Sequence, residues 1–376
     1  MAGKTGVLPQ QALRDGERLR VRLRTLLGAV LGLAALLSLP VLLQVQPWLP
    51  LTVLAASAVL AGLPAAWWAR RRRKRVAWPW IKSSLGLACA VCVALAAPIY
   101  YLALVTVLKP AAQPQVVLSN GSRTLTFQGM MHVGSDAYYR AVMFDIGKAL
   151  SEGAAIYYEG VIPDPQGDAW LAGFLGTDED LSASYKQLAG ACGLVFQNDY
   201  FALLAMDRKV HPDRHVAADV SSLQMRREFD RLLATDMAFV EAMQARETAR
   251  SAPSTGGQPL TAFVAWQQRG TESQRALAGT VCRGLMTLLV RPRRSHDARP
   301  RDPFDAVVID YRNRELVRRL LADPRDRVFL TYGSAHLPGV YALLKQSDPR
   351  WRVESVKWLR SIAAPENVRG QLDLTP

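Results

Sequence analysis

Two of the five histidines in this 376-residue chain follow a glycine by three residues, at predicted junctions between a strand and a helix. The pairs are Gly129 with His132 and Gly333 with His336. Strand carboxyl ends in an open α/β sheet form the usual ligand crevice, and a glycine there permits a tight turn. The histidine then directs its imidazole into the crevice as a metal ligand or a general base. A hydrogen-bonded structural histidine is the simpler alternative for either residue alone.

A third candidate, Glu159, follows an apolar strand predicted over residues 154–158. A carboxylate in that position is partly desolvated, which favours binding a cation or holding a proton. Two imidazoles and one carboxylate suit a catalytic divalent metal ion that keeps a coordination position open for water. We therefore predict a divalent metal cofactor held by His132, Glu159 and His336, or direct activation of water by the same residues. A surface or helix-cap position is the alternative for Glu159.

Arg312 is the fourth candidate, because a guanidinium can stabilise a developing oxyanion or hold a substrate carboxylate. An ordinary ion pair with Asp310 or Glu315 is the alternative. The other three histidines are expected outside the site, in loop-like or arginine-rich segments: His211, His215 and His296. A place in the site is the alternative for His215.

The elements that must position these residues alternate between short apolar strands and helically spaced segments, which predicts an α/β sheet with helices packed on it. Asn120-Gly121 is typical of a type I′ turn joining the first two strands. The predicted strands cover 115–119, 123–128, 154–158, 306–309, 328–332 and 352–356. The predicted helices cover 136–150, 181–189, 222–246, 272–289, 313–321 and 340–345.

The formal net charge of +14 belongs almost entirely to the N-terminal part of the chain. Residues 1–109 contain 14 Lys and Arg against two acidic residues, whereas the rest contains 32 basic and 30 acidic residues. A nearly neutral C-terminal domain disfavours nucleic acid as a partner. The basic part also contains three long uncharged apolar runs, over 26–43, 49–68 and 84–108.

A helix that crosses the roughly 30 Å hydrocarbon core of a bilayer needs about 20 apolar residues, so these runs predict three transmembrane helices. Basic clusters flank them, and the positive-inside rule places those clusters in the cytoplasm. We therefore predict a basic cytoplasmic segment (1–25), a membrane anchor (26–108) with a cytoplasmic loop (69–83), and an extracytoplasmic α/β domain (110–376). The lipid bilayer is the expected partner, and a bacterial inner membrane the expected location. A soluble helix pair is the alternative for the first two runs.

Of the four cysteines, two lie in the predicted membrane anchor and two in the predicted extracytoplasmic domain. Cys89 and Cys92 lie within the third apolar run and are interpreted as packing residues. Cys192 and Cys282 fall in the predicted extracytoplasmic domain, where an oxidising compartment would allow a disulfide. The sequence leaves open whether they pair.

Four short motifs between about residues 123 and 345 resemble, in order, those of the TraB/PrgY/GumN group, which includes the TIKI proteases. The motifs are Gly129-Met130-Met131-His132, Tyr158-Glu159-Gly160, Arg312-Asn313, and Tyr332-Gly333-Ser334-Ala335-His336-Leu337-Pro338-Gly339. Two positions depart from the family pattern. Met130 stands where the family often carries Thr, and the segment 217–220 is only loosely similar to a polar-Ala-Asp-Leu segment.

The resemblance implies a fold shared with erythromycin-esterase-like and haem-binding ChaN-like proteins. It also implies metal-dependent peptide hydrolysis, with His132, Glu159, Arg312 and His336 as the site. We therefore predict a membrane-anchored, peptidase-like hydrolase acting on a peptide, protein or other carbonyl substrate outside the cytoplasm. A non-catalytic module that binds a peptide or haem is the alternative. Transport is disfavoured because the predicted spans carry no ionisable residue that would mark a pathway.

Overall fold

The computed structural model of the chain describes residues 15–72, 77–175, 181–250, 269–290 and 301–365. The chain divides into two compact units, Met1–Tyr101 and Leu102–Pro376. His296 lies outside the described residues.

The described part of the first unit is built from apolar helices. They are α1 (Asp15–Val45), α2 (Leu49–Arg72) and α3 (Ala77–Leu108), the last of which continues into the second unit. Two stretches are long and apolar enough to cross a membrane, Arg18–Val45 and Trp80–Leu108. The corresponding stretch of α2, Leu49–Gly62, is shorter. All three predicted runs are therefore helical, and among the described residues two of them satisfy the length of a membrane span.

The three helices are joined by two hydrogen bonds from aromatic side chains and by a cluster of apolar side chains. The Tyr100 hydroxyl donates to the Leu37 carbonyl oxygen at 2.6 Å, and the Trp80 indole donates to the Ala58 carbonyl oxygen at 2.8 Å. A buried cluster joins all three helices: Leu42, Val53, Ala88 and Cys92. The burial of Cys92 agrees with its interpretation as a packing residue.

The second unit contains a six-stranded mixed sheet, so this chain is of mixed α/β type. The strands are β1 (Ala112–Ser119), β2 (Thr124–Met130), β3 (Val133–Gly134), β4 (Ala155–Tyr158), β5 (Val195–Phe196), β6 (His215–Ala217), β7 (Arg327–Gly333) and β8 (Arg352–Arg360). Their order in the sheet is β6-β4-β7-β2-β1-β8, while β3 and β5 form a separate antiparallel pair. Strands β6, β4, β7 and β2 run parallel, and β1 is antiparallel to both of its neighbours.

The predicted hairpin between β1 and β2 is confirmed. Gly121 has φ of +95°, a conformation that glycine adopts without a steric cost. The Asn120 side-chain oxygen accepts a hydrogen bond from the Arg123 backbone N–H at 2.8 Å, which closes the turn.

Helices cover both faces of the sheet. Successive side chains of a strand point to opposite faces, and each face packs into its own buried cluster. The helices are α4 (Asp136–Ser151), α5 (Pro165–Leu175), α6 (Leu181–Cys192), α7 (Gln197–Phe201), α8 (Ala205–Val210), α9 (Ser222–Thr235), α10 (Met237–Arg250), α11 (Glu272–Val290), α12 (Arg312–Ala322) and α13 (Leu337–Ser347). In β7, Leu330 packs with Leu316 of α12 and Leu344 of α13, whereas Phe329 packs on the opposite face with Ile146 of α4.

Three predicted elements differ from the structure. The strand predicted over 306–309 is wrong, because Ala306–Tyr311 forms one wide π-helical turn that leads directly into α12. Its β-branched residues favoured a strand, but Val307 is fully buried as part of a helical face instead. The helix predicted over 222–246 is two helices, which meet at Asp236. Residues His215–Ala217, expected to be loop-like, form the edge strand β6.

The buried centre of the sheet gives a direct test of the fold. Replacing Leu330, which is fully buried, with alanine should lower the free energy of unfolding by about 2–5 kcal/mol, because a cavity remains in the core. Thermal denaturation of the detergent-solubilised full chain, followed by circular dichroism, measures the effect. Leu321→Ala is the matched control, since Leu321 of α12 is 45% exposed and its loss should be nearly neutral. Equal destabilisation by both substitutions would contradict this sheet.

Candidate active site

Each of the four parallel strands is followed by a polar residue at the same edge of the sheet. In sheet order from β6, these residues are Asp219, Glu159, His336 and His132. Parallel strands end at one edge, so the topology concentrates these side chains where ligand crevices form in α/β sheets. The glycines at 129 and 333 belong to strands β2 and β7, as the sequence predicted.

Arg312, the first residue of α12, is buried at this edge between two carboxylates. Its Nε donates to Oδ1 of Asp219 at 2.9 Å, and its Nη2 donates to Oε1 of Glu159 at 2.8 Å and also to Oδ2 of Asp219. Its Nη1 donates to the Val308 carbonyl oxygen at 3.2 Å and faces Nε2 of His336 at 3.4 Å. Four of the five guanidinium N–H groups therefore donate to protein oxygens, and the fifth faces Nε2 of His336.

Asp219, the carboxylate that pairs with Arg312, is also buried and hydrogen-bonded on both oxygens. Its side chain is only 1% exposed, and its two oxygens also accept hydrogen bonds from the backbone N–H groups of Gly160 (3.0 Å) and Val220 (2.8 Å). A buried carboxylate requires such pairing, because an unpaired buried charge is strongly destabilising. Asp219 thus anchors Arg312, and Arg312 in turn holds Glu159.

His336 is buried against Glu159 and Asn313. Its Nδ1 lies 2.7 Å from Oδ1 of Asn313, and its Nε2 lies 3.4 Å from Oε1 of Glu159. Because an amide oxygen only accepts, Nδ1 carries a proton, which leaves Nε2 of the neutral ring with a lone pair. A Cβ on Gly339 would lie 2.3 Å from Nδ2 of Asn313, so a larger residue there would displace the Asn313 side chain from His336.

The charge of Glu159 is stabilised by its neighbours. Burial alone raises its pKa, but a hydrogen bond and the charge from the protonated form of His336, the Arg312 guanidinium and the backbone N–H of Gly333 outweigh burial and bring the pKa to about 2. The same network, dominated on the favourable side by Asp219, raises the pKa of Arg312 despite its burial. Glu159 is thus ionised at neutral pH, and its side chain retains 20% exposure toward the crevice.

His132 lies near this cluster without a hydrogen bond to it. The Gln197 amide nitrogen donates to Nδ1 of His132 at 2.9 Å, and the Tyr185 ring stacks on the imidazole with centroids 4.5 Å apart. Desolvation lowers the pKa of His132, while the charge of Glu159 acts in the opposite direction. The structure thus brings Glu159, Arg312 and His336 into direct contact and leaves His132 beside them.

The predicted metal ligands do not converge as a ligand set in the described parts of the chain. No group of three or more His, Cys, Asp or Glu side chains there has an arrangement that could hold a metal ion. Both oxygens of Glu159 already accept hydrogen bonds, and the Arg312 cation faces Nε2 of His336 at 3.4 Å. These residues as arranged do not fit a metal, and the metal cofactor stays a prediction.

Arg312 and His215 have different partners from those that the sequence predicts. Asp310 pairs with Arg301 at 3.0 Å and Glu315 pairs with Arg318 at 2.8 Å, so neither is the partner of Arg312. The surface position expected for His215 is wrong. Its side chain is 1% exposed, because its ring is held by Asp207 at 2.6 Å and by the Tyr158 hydroxyl at 2.5 Å.

Two residues of the site were not among the sequence candidates. Asp219 lies in the segment 217–220, and the short strand β6 before it carries too little apolar pattern to be recognised as a strand. Gln197 is an unremarkable polar residue in the sequence, and only the β3–β5 pairing brings it to His132. An acidic residue directly after a strand was the available signal for Asp219.

The ionisation of Glu159 has a consequence for acid stability. Its pKa of about 2 lies below the ordinary 4.5, so the stabilisation it provides is present above pH 4.5 and is lost as the pH falls toward 2. Glu159→Gln should therefore be less stable than the wild type at neutral pH and should lose less stability on acidification. Melting temperatures across this range measure the difference, with the exposed Glu152→Gln as control. If the melting temperatures of Glu159→Gln and the wild type fell equally on acidification, the assigned ion pair would be contradicted.

Comparison of the chain with known proteins adds no relative. No protein-family model matches it, and neither curated proteins nor solved structures give a significant match. The resemblance to the TraB/PrgY/GumN group therefore stays a prediction carried by the four motifs.

Proposed function

We propose that the second unit is a hydrolase of carbonyl compounds, with peptide bonds as the leading substrate class. One observation carries the proposal: the partly exposed carboxylate of Glu159 lies 3.4 Å from Nε2 of the buried His336, at the carboxyl edge of parallel strands. The pair supports activation of a water molecule. The peptide class rests on the resemblance to the TIKI proteases.

In the proposed reaction, the partly exposed carboxylate of Glu159 orients a water molecule by accepting one of its hydrogen bonds. Nε2 of His336 accepts the other proton as the water oxygen attacks the carbonyl carbon. The imidazolium that forms donates from Nε2 to Glu159 and from Nδ1 to Asn313, so both of its N–H groups are paired. His336 then returns the proton to the leaving group. This resembles the role of a buried carboxylate beside a catalytic histidine in acyl transfer.

Arg312 takes a positioning role in this proposal. The sequence predicts contact with a substrate oxyanion, but four of its five N–H groups donate to protein oxygens and the fifth faces Nε2 of His336. Its contribution is to fix Glu159 and keep it ionised. A divalent metal held by His132, Glu159 and His336 would require these engaged side chains to rearrange, and no step is assigned to it.

Activity measurements test the proposal. His336→Ala and Glu159→Gln should each lower hydrolysis of a peptide or ester panel by the purified full chain by about 10²–10⁴-fold, because each removes part of the proton-transfer pair. His211→Ala is the matched control, since the described hydrogen bonds of His211 involve its backbone alone, with Asp207 and Arg214. Bound metal and the effect of a chelator are measured on the same preparations.

Two outcomes would overturn the hydrolase. Unchanged turnover in both site variants would remove the assigned residues from the reaction. Stoichiometric binding of a peptide or haem without turnover would favour a binding module in the same crevice.

We also propose that the chain is anchored in a bacterial inner membrane with the second unit outside the cytoplasm. Two helices long enough to span a membrane support anchoring. The orientation rests on the basic clusters before the first run and between the second and third. A disulfide between Cys192 and Cys282, whose Cα atoms are 5.1 Å apart, supports an oxidising compartment for the second unit.

Limited proteolysis tests this orientation. Protease added outside spheroplasts should cut the chain within residues 251–258, a Ser-, Pro- and Gly-rich segment of the sequence, because that segment would face outward. A cytoplasmic protein that stays intact in the same sample is the control for lysis. Cleavage that requires lysis would reverse the orientation.

A further inference from the structure

His132 is held at two points by one residue. The pairing of β3 with β5 sets Val133 opposite Phe196, and the backbone N–H of Gln197 donates to the His132 carbonyl oxygen at 3.0 Å. The Gln197 side chain then reaches Nδ1 of the same histidine at 2.9 Å. Stacking on Tyr185, with ring planes 28° apart, fixes the plane of the imidazole. The position and the rotation of this ring are thus both determined.

The Gln197 contact also selects a tautomer. An amide nitrogen donates hydrogen bonds and does not accept them, so Nδ1 of His132 must be the acceptor. The neutral ring therefore carries its proton on Nε2. That Nε2–H has no hydrogen-bond partner among the described residues, and it belongs to an exposed ring beside Glu159.

The contact of His336 selects the opposite tautomer of its neutral ring. Its Nδ1 faces the oxygen of the Asn313 amide at 2.7 Å, so its proton is on Nδ1 and its Nε2 is the basic nitrogen. The two Gly-x-x-His histidines therefore present different groups, one a donor and the other an acceptor.

We propose that His132 donates a hydrogen bond from Nε2 to the substrate carbonyl oxygen, and that Gln197 is the positioning residue that sets this tautomer. The inference rests on the proposed hydrolysis and assigns its oxyanion contact. As the water oxygen bonds to the carbonyl carbon, its proton passes to Nε2 of His336 and the carbonyl π electrons move to oxygen. His132 stabilises that oxyanion without giving up its proton. When the oxyanion collapses, the bond to the leaving group breaks and His336 protonates it.

Substitutions at Gln197 separate this role from simple packing. In Gln197→Glu the side chain keeps its length but can only accept when ionised, so it favours a proton on Nδ1 of His132 and leaves Nε2 as a lone pair. Gln197→Ala removes the hydrogen bond to Nδ1, and with it the preference of His132 for one tautomer. Gln346→Glu is the matched control, since Gln346 is exposed on α13 and receives the same change of charge.

Nitrogen-15 NMR of histidine-labelled full chain in detergent reports the tautomer directly, with the His132 signals identified by their loss in His132→Asn. The wild type should show protonated Nε2, Gln197→Glu should show protonated Nδ1, and Gln346→Glu should match the wild type. Turnover in Gln197→Glu should fall by about 10²–10³-fold with KM nearly unchanged, as for loss of one oxyanion donor. The signals of His336 and the melting temperature should stay unchanged.

A wild-type His132 protonated on Nδ1 would overturn the inference. So would a reversed tautomer in Gln197→Glu with full turnover. The tautomer is measured without substrate, so a wild type with the expected Nε2 proton and no hydrolysis would refute the proposed reaction and not the role of Gln197.

Discussion

The buried guanidinium of Arg312 is the constraint on which the arrangement of this site depends. A cation with 9% side-chain exposure requires compensation, and removing one partner of such a pair typically costs about 3–5 kcal/mol. Asp219 and Glu159 provide that compensation from two different strand ends. The ion pairs therefore tie α12 to strands β4 and β6, and the position of Glu159 follows from the need to pair Arg312.

The π-helical turn before α12 is part of the same arrangement. Ala306–Tyr311 is a wide turn, and it leaves the Val308 carbonyl oxygen available to accept from Nη1 of Arg312. Such turns recur at functional sites because they redirect one side chain of a helix. Here the turn delivers Arg312 to the sheet edge, and the next residue, Asn313, reaches His336. One local departure from α-helical geometry thus places two residues of the site.

The sequence predicts the α/β alternation, the first hairpin and three of the four strand-end residues, because these depend on local patterns. Glycine before histidine and a carboxylate after an apolar strand are visible without knowledge of the fold. Asp219 and Gln197 were not predicted, because their roles depend on partners far away in the chain: Arg312 for Asp219, and His132 for Gln197. The strand predicted at 306–309 failed since β-branched residues also pack well on a buried helical face.

The two Gly-x-x-His motifs share a spacing but differ in the hydrogen bonds of their imidazoles. The spacing specifies a strand end and an imidazole, but the hydrogen-bond partner of Nδ1 decides what that imidazole can do. Asn313 offers an oxygen to His336, and Gln197 offers a nitrogen to His132. The cluster of Arg312, Glu159 and Asp219 carries one more negative than positive charge, which suits a proton arriving at His336. In the proposed reaction, His132 would add a neutral hydrogen-bond donor on the other side of the substrate carbonyl group.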